Sequence, residues 1–449
     1  MAAAAVLGAA IALSAQSAAG AAATVTVNYS QPKQTISGIG AAITWLAGDL
    51  NNFSAANQTA ILDTLYNVNV PSAGLSIIRS GSHLCEYNPA PGTYDWNNSI
   101  IQGEMSWMNR VKSTYGVNQF LITTWTPPGW VKDNNSCSNG GSVLASHYGD
   151  LANTMVSWMQ NAKTTLGQEV NIWGVQNEPN LSTSYDSCLY TPQQFIDFVT
   201  GYLKPAMNSA GLTSKILLPE ASTYGGASYF DSNWTTPILG NASANAVIDI
   251  FATHGYGQTS NLADQSKAVS LYHKPMWMTE ISNLNSQYSG TISDALSWAD
   301  SIYGALNSGG FNAYVWWWAI NSSNDNEGLI QYSTTNWTYQ VPKRTYAIGN
   351  FGRFIRPGSV LLTSTSNNSN IEVTAVRPTT GSVAVVLTNK SKQSVTTTVS
   401  LSGLATPPTS LQPYRTSSTE NQAALAAIAV SNGSFSITLP AQSITTVVR

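Results

Sequence analysis

Residues 171–179 read Asn-Ile-Trp-Gly-Val-Gln-Asn-Glu-Pro, and the fold of the chain can be worked out from this stretch. An apolar run ends here in an amide, a carboxylate and a proline, the pattern of a buried strand that stops at a polar edge. Similar short apolar runs alternate with longer helical patterns between residues 38 and 320. That alternation is typical of parallel strands joined by crossover helices.

Eight such runs occur, at residues 38–43, 75–80, 119–125, 171–176, 215–219, 248–254, 275–280 and 313–318. One helix between them is marked by Thr191 as N-cap, Pro192 in its first turn and Gly211 as its stop, around a helical pattern at 195–208. A second helix is predicted at about 294–307. Eight strand and helix pairs over roughly 280 residues predict an α/β fold, a (β/α)8 TIM barrel, at residues 37–345.

The pattern changes after about residue 355, where alternating strands rich in Thr, Val and Ser replace the helical pattern. Candidate strands lie at 371–376, 383–388, 395–401, 435–439 and 445–448, which predicts a β-sandwich domain at 346–449. Residues 24–36 contain a further strand at 25–27 that could join the C-terminal sheet. Because no low-complexity linker separates the two domains, we expect them to pack rigidly.

Charge is scarce in this chain. Only 9% of the 449 residues are Asp, Glu, Lys or Arg, and the formal net charge is -3. This composition excludes a basic surface for nucleic acid and a lysine-rich segment for an anionic membrane. Four scattered histidines, without a His-x-x-x-His or Cys-x-x-Cys motif, predict neither a metal centre nor another cofactor. We expect an uncharged partner and a monomeric protein.

Residues 1–23 form an Ala-rich apolar stretch without an acidic residue, which predicts a signal peptide cleaved between Ser17 and Ala23. No later run reaches the ~18 apolar residues that span a bilayer, so we expect a secreted, extracellular protein. Asn-x-Ser/Thr sequons recur along the chain and would suit glycosylation in a eukaryotic source. Among the three cysteines, Cys137 and Cys188 fall in adjacent predicted loops and are the expected disulfide pair.

Three predicted barrel strands end in a glutamate, at Glu178, Glu220 and Glu280. The reactive groups of such a barrel lie at the C-terminal ends of its strands. Retaining glycoside hydrolysis needs two carboxyls about 5 to 5.5 Å apart, and strands four and seven can supply them as Glu178 and Glu280. Asn177 suits a hydrogen bond to a sugar 2-hydroxyl. Arg79, near the end of strand two, is a candidate partner that would keep Glu280 ionised.

These residues also have structural interpretations. Glu178 or Glu280 could cap a neighbouring helix, and Arg79 could form a salt bridge elsewhere. Glu220 fits a hydrogen-bond acceptor behind the site better than direct catalysis. Most of the 14 Trp and 20 Tyr side chains should belong to the core, although flat rings also stack on sugars.

The glutamate motifs resemble the catalytic signature of the glycoside hydrolase clan that carries its glutamates on barrel strands four and seven. Further stretches are similar to glycoside hydrolase family 30, in order along nearly the whole chain. Thr-Trp-Thr-Pro-Pro-Gly-Trp-Val-Lys at 124–132 resembles the strand-three motif of the family, and Gly-Asn-Phe-Gly-Arg-Phe-Ile-Arg-Pro-Gly at 349–358 resembles its junction into the side β-domain. Gly-Ile-Gly-Ala-Ala-Ile-Thr-Trp-Leu at 38–46 and Tyr-Val-Trp-Trp-Trp at 314–318 resemble its xylanase branch.

This resemblance implies a glycoside hydrolase acting on xylan, a β-linked plant polysaccharide, with Glu178 as acid/base and Glu280 as nucleophile. The residues implied in substrate binding are Trp45, Arg79, Trp125, Asn177, Tyr256 and Trp317. Aromatic walls around Glu178 would desolvate it, raise its pKa and keep it protonated near neutral pH.

The chain departs from the family after strand eight. Members that require a methylglucuronic acid side group hold its carboxylate there with an arginine. Residues 319–328 instead contain two acids, Asp325 and Glu327, and no basic residue. A glucuronate would be repelled unless another loop supplies a cation such as Lys132.

We therefore predict a retaining endo-β-1,4-xylanase without a strict need for glucuronic acid. The alternatives are a glucuronoxylan-specific xylanase, another β-glycosidase such as an endo-β-1,6-glucanase, and a non-catalytic carbohydrate-binding barrel. The presence of both carboxylates in their motifs argues against the last of these.

Overall fold

The computed structural model describes residues 22–256, 260–284, 287–323 and 325–449, so the predicted signal peptide at 1–23 lies almost entirely outside the described residues. The strands in this part of the chain are β1 (Ala23–Thr35), β2 (Gly38–Ala42), β3 (Ile77–Gly81), β4 (Gln119–Thr123), β5 (Ile172–Gly174), β6 (Lys215–Ala221), β7 (Ile250–His254), β8 (Met276–Glu280), β9 (Ala313–Asn321), β10 (Gly328–Tyr332), β11 (Tyr339–Gln340), β12 (Val360–Ser366), β13 (Ile371–Arg377), β14 (Ala384–Asn389), β15 (Val395–Ser402), β16 (Ser410–Thr416), β17 (Ala423–Ala424), β18 (Ile428–Ala429), β19 (Ser434–Leu439) and β20 (Ser443–Val448).

The α-helices in the same ranges are α1 (Ala55–Tyr66), α2 (Leu84–Tyr87), α3 (Ser99–Tyr115), α4 (Tyr148–Leu166), α5 (Pro192–Phe198), α6 (Lys204–Ser209), α7 (Ala227–Phe230), α8 (Thr236–Leu239), α9 (Ala242–Val247), α10 (Lys267–Ser270), α11 (Ile292–Tyr303) and α12 (Lys343–Gly352). None of the helices in the described ranges is long and apolar enough to cross a membrane.

Strands β2 to β9 form a closed barrel. Each strand pairs in parallel with the next, and β9 pairs with both β8 and β2 to complete the ring. Apolar side chains from these strands, among them Ile77, Leu121, Leu217 and Trp277, fill the interior as a cluster of their own. The predicted (β/α)8 barrel is confirmed, and its eight strands coincide with the eight apolar runs.

The helix predicted around residues 195–208 begins at Pro192. Its N-cap is Thr191, whose hydroxyl accepts a hydrogen bond from the Gln194 backbone, and the Gln194 side chain returns to the Thr191 backbone. The helix continues from α5 through a π-turn at Val199–Leu203 into α6. Gly211 follows with a φ of +66°, so the left-handed conformation predicted for a helix stop is present.

Two short strands, β10 and β11, lie outside the barrel and were not predicted. β10 pairs in parallel with the last residues of β9, with Gly328 opposite Trp318 and Ile330 opposite Ile320. Because β10 supports its end, β9 extends to Asn321, three residues beyond the predicted strand. The loop after strand eight is therefore held against the mouth of the barrel.

The C-terminal strands form the predicted β-sandwich-like domain, and the N-terminal strand joins it. β1 lies between β12 and β15, antiparallel to the first and parallel to the second. The strand pattern missed β12 and β16, and β16 contains Pro413, which removes a backbone donor from an otherwise regular strand. The predicted boundary at residue 345 falls inside α12, which packs against α11 of the barrel and against β16 and β20 of the C-terminal domain.

The disulfide joins Cys85 to Cys137, so the predicted pairing of Cys137 with Cys188 is wrong. α2 brings Cys85 to the loop that follows β4, whereas Cys188 is a free, fully buried thiol within the main hydrophobic core. The loops that carry Cys137 and Cys188 do lie side by side, since Ser187 N–H donates to the Cys137 carbonyl at 3.1 Å, but Cys188 is buried in the hydrophobic core and Cys85 is the residue that meets Cys137.

Candidate active site

The three predicted glutamates meet at the C-terminal edge of the barrel. Glu178 follows β5 with a φ of 46°, a left-handed conformation that non-glycine residues rarely adopt and that clusters at functional sites. Its backbone N–H donates to the Glu220 carbonyl at 3.0 Å, which ties the ends of β5 and β6 together. Glycine at position 174 makes room behind them, because a Cβ there would collide with the Glu220 carboxylate.

Glu280, the last residue of β8, accepts two strong hydrogen bonds. Arg79 Nη1 donates to its Oε2 at 2.5 Å, and the Tyr256 hydroxyl donates to its Oε1 at 2.9 Å. Arg79 Nη2 also donates to Asn177 Oδ1 at 2.7 Å and lies 3.3 Å from Glu220 Oε1. Glu220 itself is completely buried, as expected for an acceptor behind the site. Arg79 thus connects Asn177 with the carboxylates of Glu280 and Glu220.

The two carboxyls that face the cleft differ in their partners. Burial raises the pKa of Glu178 to about 7, against an opposing effect of the Arg79 charge. Burial, the largest cause, also raises the pKa of Glu280, and Glu178 raises it further, whereas His254, Arg79 and the Tyr256 hydroxyl lower it. Since Arg79 and Tyr256 donate directly to Glu280, this arrangement favours a proton on Glu178 and a negative charge on Glu280.

His254, which ends β7, is a site residue that the sequence did not reveal. Its Nδ1 lies 3.1 Å from Glu178 Oε1 and 3.8 Å from Glu280 Oε1. Burial lowers the pKa of His254 to about 4, so the imidazole is neutral at physiological pH. Its place at the end of β7 is the one signal that the sequence offers for it, because a lone histidine belongs to no motif there. Glu178, His254 and Glu280 are also close enough to ligate one cation, although Arg79 already supplies positive charge beside Glu280.

Aromatic side chains surround these groups in a cleft of about 880 Å³. Seven of the eight predicted site residues line it, namely Trp45, Trp125, Asn177, Glu178, Tyr256, Glu280 and Trp317. The eighth, Arg79, lies beneath, with its guanidinium 4.5 Å from the centre of the Trp125 ring. The predicted residues therefore converge on one place.

Three of these rings form what we call the tryptophan wall: Trp45, Trp125 and Trp317. Trp45 meets Trp125 edge-on at 5.4 Å, and Trp317 lies 5.7 Å from Trp125. A buried glutamate that the sequence did not reveal, Glu104 on α3, accepts a hydrogen bond from the Trp45 backbone at 2.9 Å. The Ser80 hydroxyl binds the other oxygen of Glu104 at 2.5 Å, so the wall is fixed to the barrel by a carboxylate far away in sequence.

The loop after β9 adds a third carboxyl to the cleft. Glu327 lines it, accepts a hydrogen bond from the Ser282 hydroxyl at 3.0 Å, and has its pKa raised to about 7 by burial. Lys132 does not reach the cleft, because its ammonium group is buried and donates to the Ser187 carbonyl at 2.7 Å. Among the described residues that line the cleft there is no lysine or arginine.

Comparisons with known proteins find similarity to glycosyl hydrolases along most of the chain. A family model for the glycosyl hydrolase catalytic core matches residues 125–338, and the model for the glycosyl hydrolase family 30 beta sandwich domain matches residues 358–447. The glucuronoxylanase XynC of Bacillus subtilis (strain 168) is 29% identical over 443 residues, which cover 95% of this chain and 92% of that protein.

Two further proteins are similar over most of their length. The solved catalytic domain of GH30 xylanase C from Talaromyces cellulolyticus superposes with a TM-score of 0.82 at 25% identity, covering 95% of this chain and 99% of that chain. The endo-1,6-beta-D-glucanase of Neurospora crassa is 23% identical over 403 residues, covering 82% of this chain and 81% of that protein.

Proposed function

The chain is a glycoside hydrolase of family 30, and on that premise we propose that it is a secreted enzyme that cleaves the β-1,4-linked backbone of xylan with net retention. One observation carries the proposal of retention. Oxygens of Glu178 and Glu280 lie within 4.8 Å of each other. Retaining enzymes hold their two carboxyls about 5 to 5.5 Å apart, whereas inverting enzymes need about 6.5 to 9.5 Å to admit a water molecule.

In the first step, Glu178 donates its proton to the glycosidic oxygen while Glu280 attacks the anomeric carbon. The bond from that carbon to the leaving oxygen breaks, and a bond to a Glu280 oxygen forms. The raised pKa of Glu178 keeps the proton available, and Arg79 with Tyr256 keeps Glu280 ionised and aimed. Asn177 lies beside this pair, with its amide oriented by Arg79 to meet a sugar hydroxyl.

In the second step, the ionised Glu178 takes a proton from water as the water oxygen attacks the same carbon. The bond to Glu280 breaks, and the sugar leaves with its original configuration. The neutral His254 supports this change of role, since its Nδ1 stands 3.1 Å from Glu178 and adds no fixed charge. Glu178 therefore serves as acid and then as base.

The choice of xylan is supported by the similarity to xylanases and by the chemistry of the cleft. Its tryptophan wall suits stacking on neutral sugar rings, and Glu178, Glu280 and Glu327 give it acidic character. A glucuronate side group would meet Glu327 and no arginine, so we propose that cleavage does not require one. The Ala-rich residues 1–23 support secretion, and the sequons support glycosylation.

A second candidate is an endo-β-1,6-glucanase, favoured by the similarity to the Neurospora crassa enzyme. The test is a product analysis after incubation with glucuronoxylan, arabinoxylan, unsubstituted linear xylan and β-1,6-glucan. Similar cleavage of all three xylans is the expected result. Cleavage of glucuronoxylan alone would contradict the proposed side-group independence, and cleavage of glucan alone would move the activity to the second candidate.

The stereochemistry can be read in the same experiment by proton magnetic resonance of the first products. We expect the β-anomer to appear first and then to equilibrate. Initial release of the α-anomer would overturn the retaining mechanism.

A further inference from the structure

The cleft has an exposed aromatic ring that the proposed mechanism leaves unused. Tyr185 is 51% exposed, which makes it the most exposed aromatic side chain among the described residues. Other exposed tyrosines in those ranges, Tyr94, Tyr202 and Tyr229, lie elsewhere, whereas Tyr185 lines the cleft together with Leu181. Exposed rings of this kind lose apolar hydration when a sugar ring covers them.

Tyr185 stands on the Glu178 side of the cleft. It belongs to the loop of residues 179–191, which begins directly after Glu178 and leads into α5. After burial, the charges of Glu178 and Glu280 are the largest causes that raise the pKa of the Tyr185 hydroxyl, so the ring lies within electrostatic range of both carboxyls. Trp125 of the tryptophan wall lies over Arg79, which donates to Glu280.

The loop that carries Tyr185 is strapped to a second loop. Asn139 N–H donates to the Thr183 carbonyl at 2.7 Å, and Ser187 N–H donates to the Cys137 carbonyl at 3.1 Å. Asp186, the neighbour of Tyr185, forms a β-bridge with Ser138. These contacts hold the backbone on both sides of Tyr185.

The second loop is in turn fixed by the disulfide. Cys137 is bonded to Cys85, which belongs to α2 above β3. The disulfide therefore links the loop after β3 covalently to the loop after β4, and the hydrogen bonds described above join the loop after β4 to the loop after β5. Such a link limits the conformations of the loops, and an exposed ring held in this way loses little entropy when it binds a ligand.

We propose that Tyr185 and Leu181 form the subsite for the leaving-group sugar, and that the Cys85–Cys137 disulfide positions this subsite. The proposal rests on the retaining function proposed above, because it assigns sides to the cleft from the role of Glu178. The acid must lie beside the oxygen that departs, so the sugar attached to that oxygen lies on the side of Glu178 and its loop. The ligand is a neutral pyranose unit of a β-linked polysaccharide.

The same subsite would also bind an acceptor sugar that attacks the glycosyl-enzyme in place of water. When a sugar hydroxyl replaces water in the second step, its proton passes to Glu178 and its oxygen attacks the anomeric carbon. The bond to Glu280 breaks, and a glycosidic bond forms. Transfer and hydrolysis thus compete for one glycosyl-enzyme, and their ratio measures occupancy of the leaving-group subsite.

The experiment measures that ratio with 4-nitrophenyl β-xylobioside as donor and xylobiose as acceptor. Tyr185→Ala should lower the ratio of transfer to hydrolysis about five- to tenfold, while Tyr185→Phe should stay within about twofold of wild type. Tyr229→Ala is the matched control, since it removes an exposed ring outside the cleft. Cys85→Ser should lower the ratio in the same direction as Tyr185→Ala. Partial unfolding cannot imitate the effect, because both products come from the same active molecules.

An unchanged ratio in Tyr185→Ala would overturn the proposal. An equal fall in Tyr229→Ala would do the same. If the wild-type enzyme cleaves an aryl glucoside and not the xylobioside, the xylanase proposal fails. The same ratio, measured with a glucose-based acceptor, would then still decide whether Tyr185 binds the leaving group.

Discussion

The molecule contains two buried polar networks, which differ in the kinds of side chain that form them. The cleft network consists of Arg79, Glu178, Glu220, His254 and Glu280 at the mouth of the barrel. The junction network is built around Asn350 and Gln422, where the barrel meets the C-terminal domain. Both are buried, but one is made of ionisable side chains and the other mainly of neutral amides.

The junction network satisfies its amides completely. Asn350 Nδ2 donates to the Tyr414 carbonyl and to Thr446 Oγ1, and its Oδ1 accepts from Thr416. The Gln422 side chain donates to two backbone carbonyls and accepts from a backbone N–H and from an arginine. Saturated neutral hydrogen bonds of this kind fix a unique geometry.

The cleft network leaves groups unsatisfied. Arg79 Nε, Glu220 Oε1 and His254 Nε2 are buried without a hydrogen-bond partner among the described residues. Three carboxyls, a guanidinium and an imidazole share one small volume, so their proton affinities depend on one another. The satisfied hydrogen bonds of the junction fix one geometry. The cleft instead keeps ionisable groups buried at an energetic cost, in positions suited to proton transfer.

The largest effect should come from removing a charge of the cleft network. Glu280→Ala should lower turnover of xylan on the order of 10⁴-fold or more, because the attacking group is lost. Binding of xylan oligosaccharides should persist, since the tryptophan wall remains. Initial rates and calorimetric binding would check both statements. Glu372→Ala, which removes a buried glutamate on β13 of the C-terminal domain, should retain turnover within about twofold. Comparable losses in both variants would erase the distinction between the regions.

Removing the acid should have a smaller effect that depends on the substrate. Glu178→Gln should slow cleavage of xylan about 10²- to 10⁴-fold, yet impair far less the cleavage of an aryl glycoside whose leaving group needs little protonation. Because Glu178 is the proposed acid and has a pKa of about 7, we expect wild-type kcat/KM on xylan to fall as pH rises above that value. This fall in kcat/KM at high pH should be absent when the Glu178→Gln variant acts on the aryl substrate. An equal loss on both substrates would show that Glu178 is not the acid.

A change in the junction network should reduce stability without changing the chemistry. Asn350→Ala leaves the Tyr414 carbonyl and two threonine hydroxyls without their partner, at a cost of about 2 to 4 kcal/mol in the free energy of unfolding. Urea denaturation would measure the loss, and kcat/KM should stay unchanged while the protein is folded. Asn336→Ala, at an exposed asparagine, should change stability by less than about 0.5 kcal/mol. A large change in kcat/KM of Asn350→Ala would mean that the junction also shapes the cleft.

The smallest effect is expected at the edge of the cleft. At about pH 8, above its pKa of about 7, Glu327 is mostly ionised, so Glu327→Gln removes a negative charge but keeps the shape of the side chain. Activity on glucuronoxylan relative to unsubstituted xylan should then rise about two- to fivefold. Asp150→Asn provides the control, because it removes the negative charge of an exposed side chain that pairs with His147 and does not line the cleft. An unchanged ratio would remove Glu327 from the determinants of substrate choice.

Much of this architecture was predictable because its signals are local. Each barrel strand is a short apolar run, and Glu178 and Glu280 follow from the rule that reactive groups lie where such strands end. The capping box at Thr191 is likewise contained within four residues. The strand β16 was missed because Pro413 breaks the local pattern, while pairing with β20 stabilises the strand from outside.

The sequence by itself determined the class of fold, the two domains and the pair of glutamates, since periodicity, caps and strand ends depend on neighbours along the chain. Only the tertiary structure decided that Cys85 pairs with Cys137, that Glu104 holds Trp45, and that His254 stands between the two glutamates. These contacts join segments far apart in the chain. They exist because closing the barrel brings the ends of all eight strands to one rim, and no local pattern records which side chains then face each other.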